Sequence, residues 1–185
     1  LGKDSLNQGL FAGMIGLALV MIFLLVYYRL LGVVADLALI IYGLLFYAAL
    51  TNPWLTVTLT LPGIAGMILT VGVAADANVV IFERIKEEIS AGKTIRSAVN
   101  SGYTKGFKTI LDANTVTVIT ALVIFMVATA GVKGFALTLM IGVVISMFTA
   151  VVATRAMLAL LADFRFFNNP TLMGIKPPKK EGVKE

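Results

Sequence analysis

The sequence predicts an all-α membrane protein, with five transmembrane helices plus a short cytoplasmic interfacial helix. Three observations predict it. Of 185 residues, 59% are hydrophobic and only 14% charged, with a mean hydropathy of +0.96; a soluble chain carries about 25% charged residues. Five apolar runs, about 7–28, 32–51, 62–82, 111–130 and 134–161, reach the roughly 20 residues that a helix needs to cross the hydrocarbon core. The basic residues are also segregated. Arg29, the 83–110 loop and the stretch from 155 onward hold 13 of the 15 lysines and arginines, leaving Lys3 and Lys133 for the other side.

The first run follows LGKDSLNQG without an initiating methionine and reads as a piece of a longer protein. Gly9, Gly13 and Gly16 give it notches for close packing, and Tyr27 and Tyr28 beside Arg29 suit an interfacial anchor. The second run ends before Pro53, with Trp54 as an anchor on the opposite side. Pro62 fits the first turn of the third helix. That helix continues as ERIKEEIS, a solvated mixture of acids and bases, until Gly92 can end it.

Thr94 is the expected N-cap of a second helix in the loop, TIRSAVNSGYTKGF. Ile95, Val99 and Tyr103 recur there every four residues and form a weak apolar face suited to the membrane surface. Gly131 and Gly134 frame the turn into the last run, which is long enough to tilt or project. Ser146 and Thr149 share a face of it suited to helix packing. Residues 1–165 are thus one transmembrane domain, followed by a 166–185 cytoplasmic tail whose end, KPPKKEGVKE, reads as disordered. The lysine and arginine bias puts the 83–110 loop and the C-terminus inside and the N-terminus outside. Topology and contact with anionic membrane lipid then account for the net charge of +5, so no nucleic-acid partner is expected.

The chain has no cysteine and no histidine, which removes thiolate metal sites, disulfides and the usual proton shuttle. It also lacks a phosphate-binding glycine loop and a metal-ligand cluster. The expectation is a non-enzyme with no cofactor and no metal. What remains are three aspartates inside apolar runs: Asp36, Asp76 and Asp112. A carboxyl at membrane depth is costly and usually marks an ion or proton path.

Asp76 is the principal candidate. It lies roughly 21 Å below Pro62 along the helix, past the midplane. Ala65, Leu69, Gly72, Val79, Val80 and Glu83 share its face, and the small residues suggest an acid facing inward toward a neighbouring helix or water. Asn78 projects about 200° away from Asp76. Asp112, four residues after Lys108, is either a helix N-terminal acid held by the dipole or the head of a polar path through Asn114, Thr115, Thr117 and Thr120. Threonine hydroxyls often merely bond back to their own helix. Asp36, near the inner edge of the second run, reads as a snorkelling acid or one paired with Arg29 or Arg155.

The stretches LTLPGIAGMILTVGVAADANVVIFERIKEEI and GFKTILDANTVTVITALVIFMVATAGVKGFALTLMIGVVISMFTAVVATR resemble the SecD members of the SecD/SecF family of bacterial protein-export subunits. YYRLLGVVADLALI also fits, and the ISMFTAVVATR ending is closer to SecD than to SecF. The resemblance implies a membrane domain of the resistance-nodulation-division type with six spans, of which this chain holds spans two to six. It implies a bacterial inner-membrane location, a SecF partner, a SecYEG-type translocon and an unfolded polypeptide met through a periplasmic domain outside this chain. The aspartate of the Asp-Ala-Asn motif, here Asp76, is implied in proton-driven export. Asp112 carries over less directly, and Gly72, Asn78, Asn114 and Thr115 support the site. Ala74 and Ala75 stand where the family often has a bulkier valine before the aspartate. A proton-coupled exporter of small molecules or lipids from the same superfamily and a non-catalytic translocon scaffold are the competing readings.

Overall fold

The computed structural model describes residues 2–53 and 60–163; Trp54 and the 166–185 tail lie outside them. All described secondary structure is helical. Helices α1 (Gly2–Tyr28) and α2 (Leu30–Leu50) form one hairpin, and α3 (Leu61–Ser90) and α4 (Ile95–Val127) form a longer one. Then α5 (Ala130–Thr149) runs through a π turn (Ala150–Thr154) into α6 (Arg155–Asp163). Five helical stretches are long and apolar enough to cross a bilayer. The chain is a multi-pass membrane protein.

Local chemistry sets the helix ends. The Thr60 side chain accepts from the Gly63 amide at 3.2 Å and donates to the Gly131 carbonyl at 3.0 Å. It thereby caps α3 and ties it to the turn before α5. Pro62 occupies the first turn, as expected, and Gly92, at φ +88°, ends the helix run. The α1–α2 hairpin turns on Arg29 alone, at φ +52°. The turn is so tight that a Cβ on Gly32 would be driven into the Leu24 backbone.

The 30 residues of α3 and 33 of α4 extend roughly 45 and 50 Å, against about 30 Å of hydrocarbon. Their joined ends project beyond the basic side of the bilayer. Here the structure differs from the expected separate surface helix. The 94–107 segment is helical but runs unbroken into the fourth span. Ala98, Val99 and Tyr103 are buried, so the weak apolar face lies against protein. Glycine is the reason. A Cβ on Gly102 would sit 2.6 Å from Ile85 Cα, and one on Gly106 2.9 Å from Ile81 Cα, so α4 seats directly on the α3 backbone.

Glu88 clamps the projecting hairpin, bound by Lys93 and Lys105 at 2.5 Å each. The hydrogen bond from Lys105, then that from Lys93, holds the Glu88 carboxyl below its usual range. A depressed carboxyl contributes stability above its unfolded pKa and loses it as pH falls through the folded value. Spin labels at the exposed Ser90 and Asn100 should therefore report a fixed separation at neutral pH. The separation should broaden below about pH 4, where a free glutamate titrates; Glu88→Gln should show the broadening at every pH.

Within the bilayer, α3 and α5 run parallel along seams of small residues repeating every four positions. Gly66, Thr70, Ala74 and Asn78 face the α5 series Gly134, Thr138, Gly142, Ser146, Ala150 and Thr154. Thr138 donates to the Gly63 carbonyl at 3.1 Å, and a Cβ on Gly142 would meet Thr70 at 2.5 Å. Such close approach suits lipid, where helices associate through packing rather than hydrophobicity. A four-residue repeat drifts about 40° per step around a 3.6-residue helix. The wider π turn at Ala150–Thr154 counters that drift and keeps Thr154 on the seam. Helix α1 lies outside this seam, with Gly9 and Gly13 receiving the Ile64 and Ile68 side chains and Gly16 facing open space, while Leu24 and Tyr28 at its end join the buried core.

Candidate functional site

The α5 seam occupies one side of α3 and leaves another bare. Ala65, Leu69, Gly72 and Asp76 form an exposed stripe at helical spacing, with Glu83 half-buried two turns further on. Asp76 therefore points out of this bundle, and the inward-facing arrangement expected from its small neighbours does not occur. The reason is steric: Gly66, Thr70, Ala74 and Asn78 let α5 come closer than the Asp76 side would allow. The notch at Gly72 is open, with nothing within 4 Å of where a Cβ would stand. At the lower end of this face, the Tyr28 hydroxyl lies in electrostatic reach of both Glu83 and Asp76. Lys86 sits 4.1 Å over the Tyr28 ring and 3.2 Å from Glu83. Polar groups thus lead from Asp76 to the charged edge of the bilayer. Tyr28 was legible in the sequence only as an anchor, and its spatial neighbours belong to another helix.

Asn78 takes the opposite direction, as its helical angle requires. It is 4% exposed, donates to the Ala74 carbonyl at 3.1 Å and accepts from the Thr154 hydroxyl at 2.7 Å. Thr154 is wholly buried in the π turn. This pair locks α3 to the end of α5, and no local sequence signal connects residues 76 positions apart. Thr154→Val should leave the Asn78 carbonyl oxygen buried without its donor, at about 1–3 kcal/mol. Pairing it with Asn78→Leu should recover most of the loss. Thermal melts of the four proteins of this cycle in detergent check the coupling.

On α4, Asp112 is exposed and Asn114 buried. The helix-dipole account of Asp112 does not survive, because α4 begins at Ile95, roughly five turns earlier. The contacts of Gly106 with Ile81 and of Gly102 with Ile85 set an antiparallel register. Continued, it puts Asp76 level with Leu111, so the two acids share one depth. Thr115, Thr117 and Thr120 each donate back to their own helix, Thr115 to Leu111 at 2.7 Å. The amide nitrogen of Asn114 and the hydroxyl of Ser146 are buried without a hydrogen-bond partner. Thr149 bonds to its own helix at Ser146 and Ile145.

Asp36 does not snorkel. It is 7% exposed and its Oδ1 has no hydrogen-bond partner. Leu31, Val34, Ala35 and Ala38 are equally enclosed, because this part of α2 is packed within the bundle. Among the described residues, no group of His, Cys, Asp and Glu has the arrangement of a metal site.

Five membrane-length helices, with a carboxyl on an open face and a closed seam of small residues behind it, define a multi-pass helical membrane domain. The chain belongs to the SecD/SecF family: residues 1–163 match the C-terminal region of the protein export membrane proteins SecD/SecF. Protein translocase subunit SecD of Acidaminococcus fermentans is 51% identical across the whole chain, which covers 45% of that protein. SecDF of Bacillus subtilis is 44% identical over 90% of the chain and 22% of its own length. The crystal structure of the translocon-associated membrane protein SecDF from Thermus thermophilus superposes with a TM-score of 0.82 at 42% identity. That match covers 87% of this chain and 22% of that one. The chain thus spans less than half the length of these relatives.

Proposed function

We propose that this chain is the membrane part of an auxiliary subunit of the Sec translocase, in which Asp76 couples the proton motive force to late-stage polypeptide export. The observation that carries the reading is the open Asp76 stripe. An intramembrane carboxylate left against lipid is untenable, so this face belongs against another helix bundle or a hydrated cleft. A SecF partner, related to this chain as a parallel repeat, is the natural cover, with Gly72 giving it room to approach. The basic end is cytoplasmic and the N-terminal end periplasmic.

Protons reach Asp76 from the periplasm and leave past Tyr28 and Glu83, with Asp112 at the same depth as a second carboxyl. Asn78 and Thr154 hold α3 in place while the open face works, and Asn114 and Thr115 are the supporting polar residues on α4. Movement passes to the periplasmic portion of the complete protein, which holds the unfolded polypeptide emerging from the SecYEG-type translocon. The test compares gradient-stimulated export by vesicles carrying the intact protein with Asp76 or Asn at this position. Unchanged stimulation by an assembled Asn variant would favour the scaffold reading.

A further inference from the structure

We infer that the basic end of the bundle carries a binding pocket for the phosphate headgroup of an anionic phospholipid, between the start of α4 and α6. A cavity of about 490 Å³ opens there, and none of the described residues lining it is acidic. Arg96 and Arg155 supply two guanidinium groups to its wall, and Ser97 and Asn100 supply neutral donors. Guanidinium matches a phosphate with paired donors. Arg155 sits 5.4 Å over the Tyr103 ring, and the Tyr103 hydroxyl donates to the Ala150 carbonyl at 3.2 Å. The guanidinium is therefore placed by the fold. Thr94 begins α4 without a side-chain cap, leaving the first-turn amides, which have no partner within the helix, at the same wall as a further anion-binding element.

Depth selects a lipid over a soluble phosphate compound. Arg155 lies six residues before the inner end of the last apolar run, close to the level where a bilayer gives way to headgroups. The same cavity has an apolar side built from Val99, Leu158 and Ala159, suited to a glycerol backbone and the first methylenes. Basic pockets between helices at this surface are suited to anionic headgroups.

Native mass spectrometry of the intact protein tests the site, with cardiolipin, phosphatidylglycerol or phosphatidylcholine added in detergent. Retention of the two anionic lipids should exceed that of phosphatidylcholine. It should fall about thirtyfold in Arg96→Gln/Arg155→Gln, from two basic contacts. The control Arg84→Gln/Lys108→Gln removes the same charge from the same end and should retain lipid nearly as wild type. Arg96→Gln alone, on an exposed first turn, should fall about fivefold. Equal losses in the pocket and control variants would overturn the site in favour of diffuse surface charge. Displacement of bound lipid by millimolar inorganic phosphate, or phosphate binding with no lipid preference, would overturn the lipid assignment and make this a soluble-phosphate site.

Discussion

Asp76→Asn in the intact protein is expected to lose all export stimulation by an imposed proton gradient, while folding and partner assembly stay as in wild type. The side chains are nearly isosteric, and Asp76 stands on an open face, so the substitution disturbs no packing within this bundle. What it removes is the ability to carry a proton. One charge crossing the full membrane field contributes about 2.3 kcal/mol per 100 mV, close to fiftyfold in an equilibrium, and that bias vanishes with the carboxyl. Asp76→Glu keeps a titrating group and should retain part of the stimulation. Tyr28→Phe removes one hydroxyl from the proposed exit and should slow the coupling without abolishing it. The measurement is export of a stalled substrate in vesicles with and without the gradient, alongside co-purification with the partner subunit. Full stimulation by assembled Asp76→Asn would move the coupling carboxyl to Asp112 or favour the scaffold reading.

The largest structural effect is expected at Gly142. A Cβ there would sit 2.5 Å from both Thr70 Cβ and Cγ2, neither of which is the far end of a flexible side chain. Gly142→Leu must push α5 off α3 along the seam that carries Thr138 and the Asn78–Thr154 pair. Overpacking of this kind costs about 3 kcal/mol, with no hydrophobic gain in lipid to offset it. Thermal melts in detergent should show a large fall. Gly72→Leu is the matched comparison. Open space surrounds Gly72, so its melt should be unchanged; its defect should appear instead as weaker association with the partner subunit. Equal melting losses at the two glycines would mean that the α3–α5 seam is not the organising contact.

These two glycines also separate what was legible in the chain from what was not. Both were small residues in an apolar run, and nothing local distinguished a notch filled by α5 from one left open. Gly92 and Pro62 were legible, because a helix stop and a first-turn proline are decided within a few residues. Thr94 was placed correctly as the residue before α4, although its side chain makes no cap. The surface-helix expectation for 94–107 failed because its apolar face of Ile95, Val99 and Tyr103 reads the same against lipid as against α3. The helix-dipole reading of Asp112 failed because the true start of α4, at Ile95, lies outside the apolar run.

The sequence by itself determined the number of helices long and apolar enough to cross a bilayer. That number follows from the transfer of apolar residues and a fixed rise per residue, both additive along the chain. Only the tertiary structure decided that Asp76 faces outward and Asn78 inward, that Asp36 is enclosed, and that Thr154 on a π turn holds Asn78. Those outcomes depend on which helix surfaces approach most closely. In a bilayer that choice rests on steric fit between small residues far apart in sequence, with no polar-apolar contrast along the helix to announce it.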